Sequence, residues 1–128
     1  MFIRFVVSEL DPTSGRRQGL FQAAKRLKEA EEIAPGDRDQ LERLGAWFNE
    51  NLEKPLRLAM SPRPHRKAQA ISWFKDNATA HIAKMRELEE VLGRYRAAVQ
   101  FIKARRVGYV VYEDQFQIVA CPFGDTPA

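Results

Sequence analysis

The chain has 128 residues, 45% of them hydrophobic and 30% charged, the balance of an ordinary globular domain. At that length one core can bury roughly two thirds of the surface that the unfolded chain exposes. Its apolar runs fall far short of the ~20 residues of a membrane-spanning helix, and a single cysteine, Cys121, excludes an internal disulfide.

The net charge of +4 conceals segregation along the chain. Residues 1–28 carry six Lys/Arg against two acids and residues 29–53 two against eight, whereas 54–86 carry eight against one and 87–128 five against six. An acidic block followed by a basic one predicts two surface regions of opposite sign, able to steer a charged partner. Phe2 to Val7 is rich in β-branched and aromatic residues and reads as an internal strand with Arg4 as the exception. The same run is too short for a signal-peptide core and lacks a cleavage site, so a cytoplasmic protein of bacterial or phage style is expected. Asp11-Pro12-Thr13-Ser14-Gly15 ends the strand and offers Thr13 or Ser14 as a helix N-cap. Helix one is predicted from Arg16 to Ile33, its Leu20, Ala23, Ala24, Leu27, Ala30 and Ala34 sharing a face, with Pro35-Gly36 as the stop. Asp37 then caps a second helix striped by Leu41, Leu44, Phe48 and Leu52 and ended by Pro55.

Pro55 to Lys67 is a connector with three prolines. Ser61-Pro62 or the following residues start the longest predicted element, a helix to Gly93 on which Ile71, Phe74, Ala78, His81, Met85, Leu88 and Leu92 recur at steps of three and four. Strands follow at about Val99–Ala104, Tyr109–Tyr112 and Phe116–Cys121. The expected fold is therefore α+β in a single domain, 1–128. An antiparallel sheet of three to four strands, the N-terminal strand plus a C-terminal meander, packs against three helices, the third long. An echo, Trp47-Phe48-Asn49-Glu50-Asn51 and Trp73-Phe74-Lys75-Asp76-Asn77, is read as two Trp-Phe pairs at the edges of apolar stripes in preference to a duplication.

Two clusters suggest binding. Arg16 and Arg17 at the predicted start of helix one oppose the positive end of its dipole, which motivates an anion site formed by Ser14, Arg16 and Arg17; two solvated arginines are the plainer reading, and the P-loop ending is missing. Arg57, Arg63, His65, Arg66 and Lys67 form a basic run that suits phosphate backbones or an acidic protein surface, including another copy of this chain. No RNA-recognition, zinc-finger or helix-turn-helix pattern accompanies it. His81 sits on an apolar stripe and reads as a core histidine, with no Cys/His cluster to make it a metal ligand. Serines lack a nucleophile-elbow context, and the paired acids look like helix faces or a hairpin turn. No catalytic residue, cofactor or metal is expected.

Arg105-Arg106-Val107-Gly108-Tyr109-Val110-Val111-Tyr112-Glu113-Asp114 resembles the central strand of the RelE/ParE-like toxin superfamily, which reads Arg-x-Gly-x-Tyr-Arg-Val-x-Tyr-Glu. Leu52-Glu53-Lys54-Pro55-Leu56-Arg57-Leu58 is similar to that family's Asn-Pro junction. The resemblance implies a ribonuclease with Arg105, Arg106 and Tyr112 as its site. The chain departs from the family in the long predicted helix and in its ending, Cys121-Pro122-Phe123-Gly124, which lacks the basic and aromatic residues of the ribonuclease chemistry. The expectation drawn from the whole is a small non-catalytic interaction protein, a regulator, inhibitor or accessory subunit, that binds a macromolecular partner through segregated charged surfaces. A protein partner or a homodimer is preferred and no membrane is involved; a toxin-like ribonuclease and a nucleic-acid-binding protein are the alternatives.

Overall fold

A computed structural model of the chain describes residues 1–12, 15–54 and 70–127. It is α+β, with three helices and a six-stranded antiparallel sheet among these residues. At its centre is β1 (Phe2–Leu10), whose residues Ile3 to Val7 are all buried. Successive side chains of a strand point to opposite faces, so this continuous burial requires cover on both sides. Ile3, Phe5 and Val7 join the helix-side core, while Phe2 packs into a second cluster with Ile71, Trp73, Ala104, Val107, Ile118 and Ala120.

Three helices close the first face. Leu20 and Ala24 come from α1 (Leu20–Glu29), Leu41, Leu44 and Phe48 from α2 (Pro35–Asn51), and Met85, Leu88, Val91 and Leu92 from α3 (Thr79–Gly93). Helix one is thus shorter than its stripe predicts at both ends. Arg17–Gly19 pairs with β1 as a short strand, β2. At the other end Arg38 reaches back to the carbonyls of Lys28 and Ala30, satisfying groups that a helix terminus leaves open. Pro35 is the first residue of α2, where a missing N–H costs nothing, and Asp37 lies inside the first turn, leaving Ala34 at the N-cap. Tyr95, just past α3, donates its hydroxyl to Asp37 Oδ2 at 2.6 Å and accepts from the Ala34 N–H at 2.9 Å, tying the end of α3 to the start of α2.

The long third helix is the main correction. Its first two stripe residues, Ile71 and Phe74, belong to a strand, β3 (Ile71–Lys75), and among the described residues of that stretch only Thr79 to Gly93 is helical; its predicted start at Ser61-Pro62 lies outside the described residues. Ile71 and Trp73 point to one face and Phe74 to the other, so an internal strand buried on both sides mimics a helical spacing over four residues. The Trp-Phe echo accordingly falls once on a helix and once on a strand.

The predicted C-terminal meander is also revised. β5 (Tyr109–Glu113) and β6 (Gln117–Cys121) form a hairpin, but β4 (Gln100–Ala104) crosses to β1, and β3 fills the place between β1 and β6. β3, β6 and β5 extend the sheet from β1, and β2 and β4 also pair with β1, so six strands are present among the described residues where three to four were expected. Phe2 pairs with both β3 and β4, and Val6 with both β2 and β4. Hence β2 and β3 share one edge of β1, and the stretch Arg4–Phe5 lies between them without a ladder partner on that edge. This gap is a fork in the sheet.

Candidate functional site

The fork opens on a cavity of ≈ 490 Å³. Its described lining includes Arg4 and Phe5 of β1, Ser72 to Phe74 of β3, Gly19 to Phe21 at the β2–α1 junction, and Leu41, Leu44 and Phe48 of α2. Most of this wall is apolar. Arg4, Lys28 and Lys54 contribute positive charge and Glu53 negative charge.

Arg4 is the unusual member. It is only 8% exposed, its Nη2 donates to the Arg17 carbonyl at 2.5 Å, and its Nη1 is buried without a partner among the described residues. Burial first, then Arg17 and Arg16 beside it, push its pKa down to about 10 against the opposing pull of Asp11. A guanidinium remains charged at neutral pH even there, so the fork holds a desolvated cation. The sequence signal for it was the lone charge in an otherwise apolar strand. Arg16 and Arg17, two of the predicted anion-site residues, flank this cation, and the Arg17 guanidinium also donates to Gln100. They do not sit at a helix start: α1 begins at Leu20 with Gly19 as its N-cap, no capping side chain and no acid in its first turn. Ser14 and the basic run Arg57, Arg63, His65, Arg66 and Lys67 lie outside the described residues.

Comparisons with protein-family models, curated proteins and solved structures find no match. The functional reading therefore rests on side chains and their placement.

Of the basic block 54–86, the described residues Lys75, Lys84 and Arg86 are each paired locally. Lys75 pairs with Glu113 at 2.6 Å, Lys84 with Glu87 at 3.2 Å and Arg86 with Glu89 at 2.9 Å, Arg86 also stacking over Phe101. The acidic block behaves differently. Asp37 is paired with Arg94 at 2.6 Å, but Glu29, Glu31, Glu32, Asp39 and Glu42 are exposed and have no ion pair among the described residues. They follow one another around the α1–α2 corner.

His81 is buried between aromatic rings, 5.0 Å from Trp47 and 4.4 Å from Phe116 between centroids. Its Nε2 lies 2.7 Å from the Asn51 carbonyl, an acceptor that requires the proton on that nitrogen. The imidazole thereby pins the end of α2 to α3. Tyr112, named by the toxin resemblance, donates to Asp114 Oδ2 at 2.8 Å in the β5–β6 turn. Arg105 and Arg106 lie at the other end of β5, before its first residue, with Arg106 over the Phe123 ring. The fold does not gather the three around one point.

Asp114 also accepts from the backbone N–H groups of Phe116 and Gln117 and from Gln117 Nε2, which in turn reaches the Glu53 carbonyl at 2.7 Å. Burial would raise its pKa, but these bonds outweigh it and hold the carboxyl below its ordinary value. Asp37 is held low by the Tyr95 hydroxyl and then by Arg94. The same bonds raise the phenol pKa values of Tyr95 and Tyr112. A depressed carboxyl contributes stability that is complete above its unfolded pKa and is lost as pH falls through the folded value; a raised phenol contributes below its unfolded pKa and loses it as pH rises. Melting temperature should thus be flat between about pH 5 and pH 9 and fall on either side. Replacing Asp37 and Asp114 by Asn should flatten the acid limb, as followed by circular dichroism.

Proposed function

We propose that the chain is a non-catalytic interaction protein that engages a basic macromolecular partner through the acidic corner between α1 and α2. The supporting observation is the exposed run Glu29, Glu31, Glu32, Asp39 and Glu42, which has no ion pair among the described residues, whereas Lys75, Lys84 and Arg86 of the basic block are each paired within the fold. Exposed like charges so close together repel one another, and a basic partner relieves that repulsion. A lysine-rich stretch of another protein, or the basic run Arg57 to Lys67 of a second copy, has the matching chemistry.

Such a contact is steered by charge and is screened within about 8 Å at physiological salt. Binding of a lysine-rich peptide should weaken about tenfold or more from low to physiological salt, and Glu31, Glu32 and Glu42 replaced by Gln should lose it without a change in melting temperature. Light scattering at the same two salt concentrations separates self-association from capture of a different chain. A monomer that ignores the peptide at low salt contradicts the reading.

A further inference from the structure

Two buried donors without partners among the described residues belong to side chains that line the same cavity. Arg4 Nη1 and Trp73 Nε1 are both shielded from solvent, in residues 8% and 1% exposed. The register of β1 against β3 places them together. Phe2 faces Lys75 and Ile3 faces Phe74, so the next pair in the ladder would be Arg4 opposite Trp73, and it is there that pairing stops. Each unmet buried donor is destabilising, more so when it carries charge. The adjoining groups supply further donors: Gly19, Leu20 and Phe21 also line the cavity, and the first N–H groups of α1 have no side-chain cap.

At the fork the two unmet donors and the desolvated cation lack an acceptor among the described residues, and the kind of acceptor is constrained by the rest of the lining. A neutral carbonyl or hydroxyl would serve the indole but leave the buried guanidinium with only the pull of Asp11 against its charge. A bare inorganic anion would leave the helix-side wall, with Leu44, Phe48 and Phe74, without an apolar occupant. We propose that the cavity binds a small amphiphile with an oxyanion head and an apolar body, the head accepting from Arg4 and Trp73 at the fork and the body passing to the helix side. A volume of ≈ 490 Å³ is ample for such a molecule. Carboxylates and phosphate monoesters share this chemistry. The site is distinct from the acidic corner and stands or fails without it.

The test uses the full chain and four ligands with one body and different heads: octanoate, octyl phosphate, octanol and octylamine, with inorganic phosphate as the head alone. Titration is followed by calorimetry and by indole fluorescence. Octanoate or octyl phosphate should bind saturably and about tenfold or more tighter than octanol, with octylamine and inorganic phosphate weaker still. The tighter of the two anions identifies the carboxylate or the phosphate ester as the natural head. Arg4→Met should reduce the anion to the affinity of octanol while leaving octanol unchanged. Should that variant fail to fold, the comparison of heads on the unaltered protein decides alone. Equal binding of octanoate, octyl phosphate and octanol, or no saturable binding by either anion, overturns the proposal.

Discussion

Gly108→Ala should destabilise the protein by about 3–5 kcal/mol, a large share of the 5–15 kcal/mol that holds a domain of ordinary stability together. Two independent costs add. Gly108 has φ +121°, a backbone conformation that L side chains rarely adopt, worth about 1–3 kcal/mol of strain. In addition, a Cβ at this position would lie 1.9 Å from the Cys121 carbonyl oxygen and 2.6 Å from its carbon, so backbone must move to admit it. The approach is close because Gly108 brings the chain from β4 into β5 against the end of β6, where Tyr109 faces Cys121 in the ladder. Chemical denaturation of a graded series checks the argument. Gly15, with φ +71° and open space around its Cβ, should cost far less as alanine, and Gly124, with neither constraint, should be close to neutral. Similar losses at Gly108 and Gly124 would show that the close approach is not retained in solution.

What could be read from the chain was what neighbouring residues dictate. Alternation and β-branching marked β1 and the three C-terminal strands, and the stripe Leu41, Leu44, Phe48 marked α2. The elements misread are those whose identity depends on distant partners. Arg17-Gln18-Gly19 has no intrinsic β preference and is a strand because β1 offers an open edge from Val6 to Leu10. Ile71 to Lys75 carries a helical spacing by coincidence, and the local cue against it was the turn-forming pair Asp76-Asn77, immediately before Ala78 resumes the stripe. β4 was recognised as a strand, but its partner, β1, lies at the opposite end of the sequence. The fork follows from these same non-local pairings, so the cavity was beyond the reach of periodicity. Arg4 alone announced it, as a charge where the pattern wanted an apolar residue.

Trp73→Ala should cost about 3–5 kcal/mol, whereas Trp73→Phe should change stability by no more than about 1 kcal/mol. Trp73 is 1% exposed and sits opposite Ile118 in the centre of the sheet, against Ile71, Ala104 and Ala120. Truncation to alanine removes an indole from a wall formed by three strands that hydrogen bonding holds in place, so the resulting void cannot collapse. Phenylalanine keeps most of the buried area, and it also deletes the unpartnered Nε1 donor. The lost area and the removed desolvation cost have opposite signs and similar size, which is why the net change is small. The contrast is diagnostic because Trp47, the other tryptophan, is only half-buried on α2 and stays as a fluorescent reporter in both variants. If Trp73→Phe proves as damaging as Trp73→Ala, the indole N–H has a partner in solution, and the shared acceptor deficit at the fork would be refuted along with the near-neutral outcome.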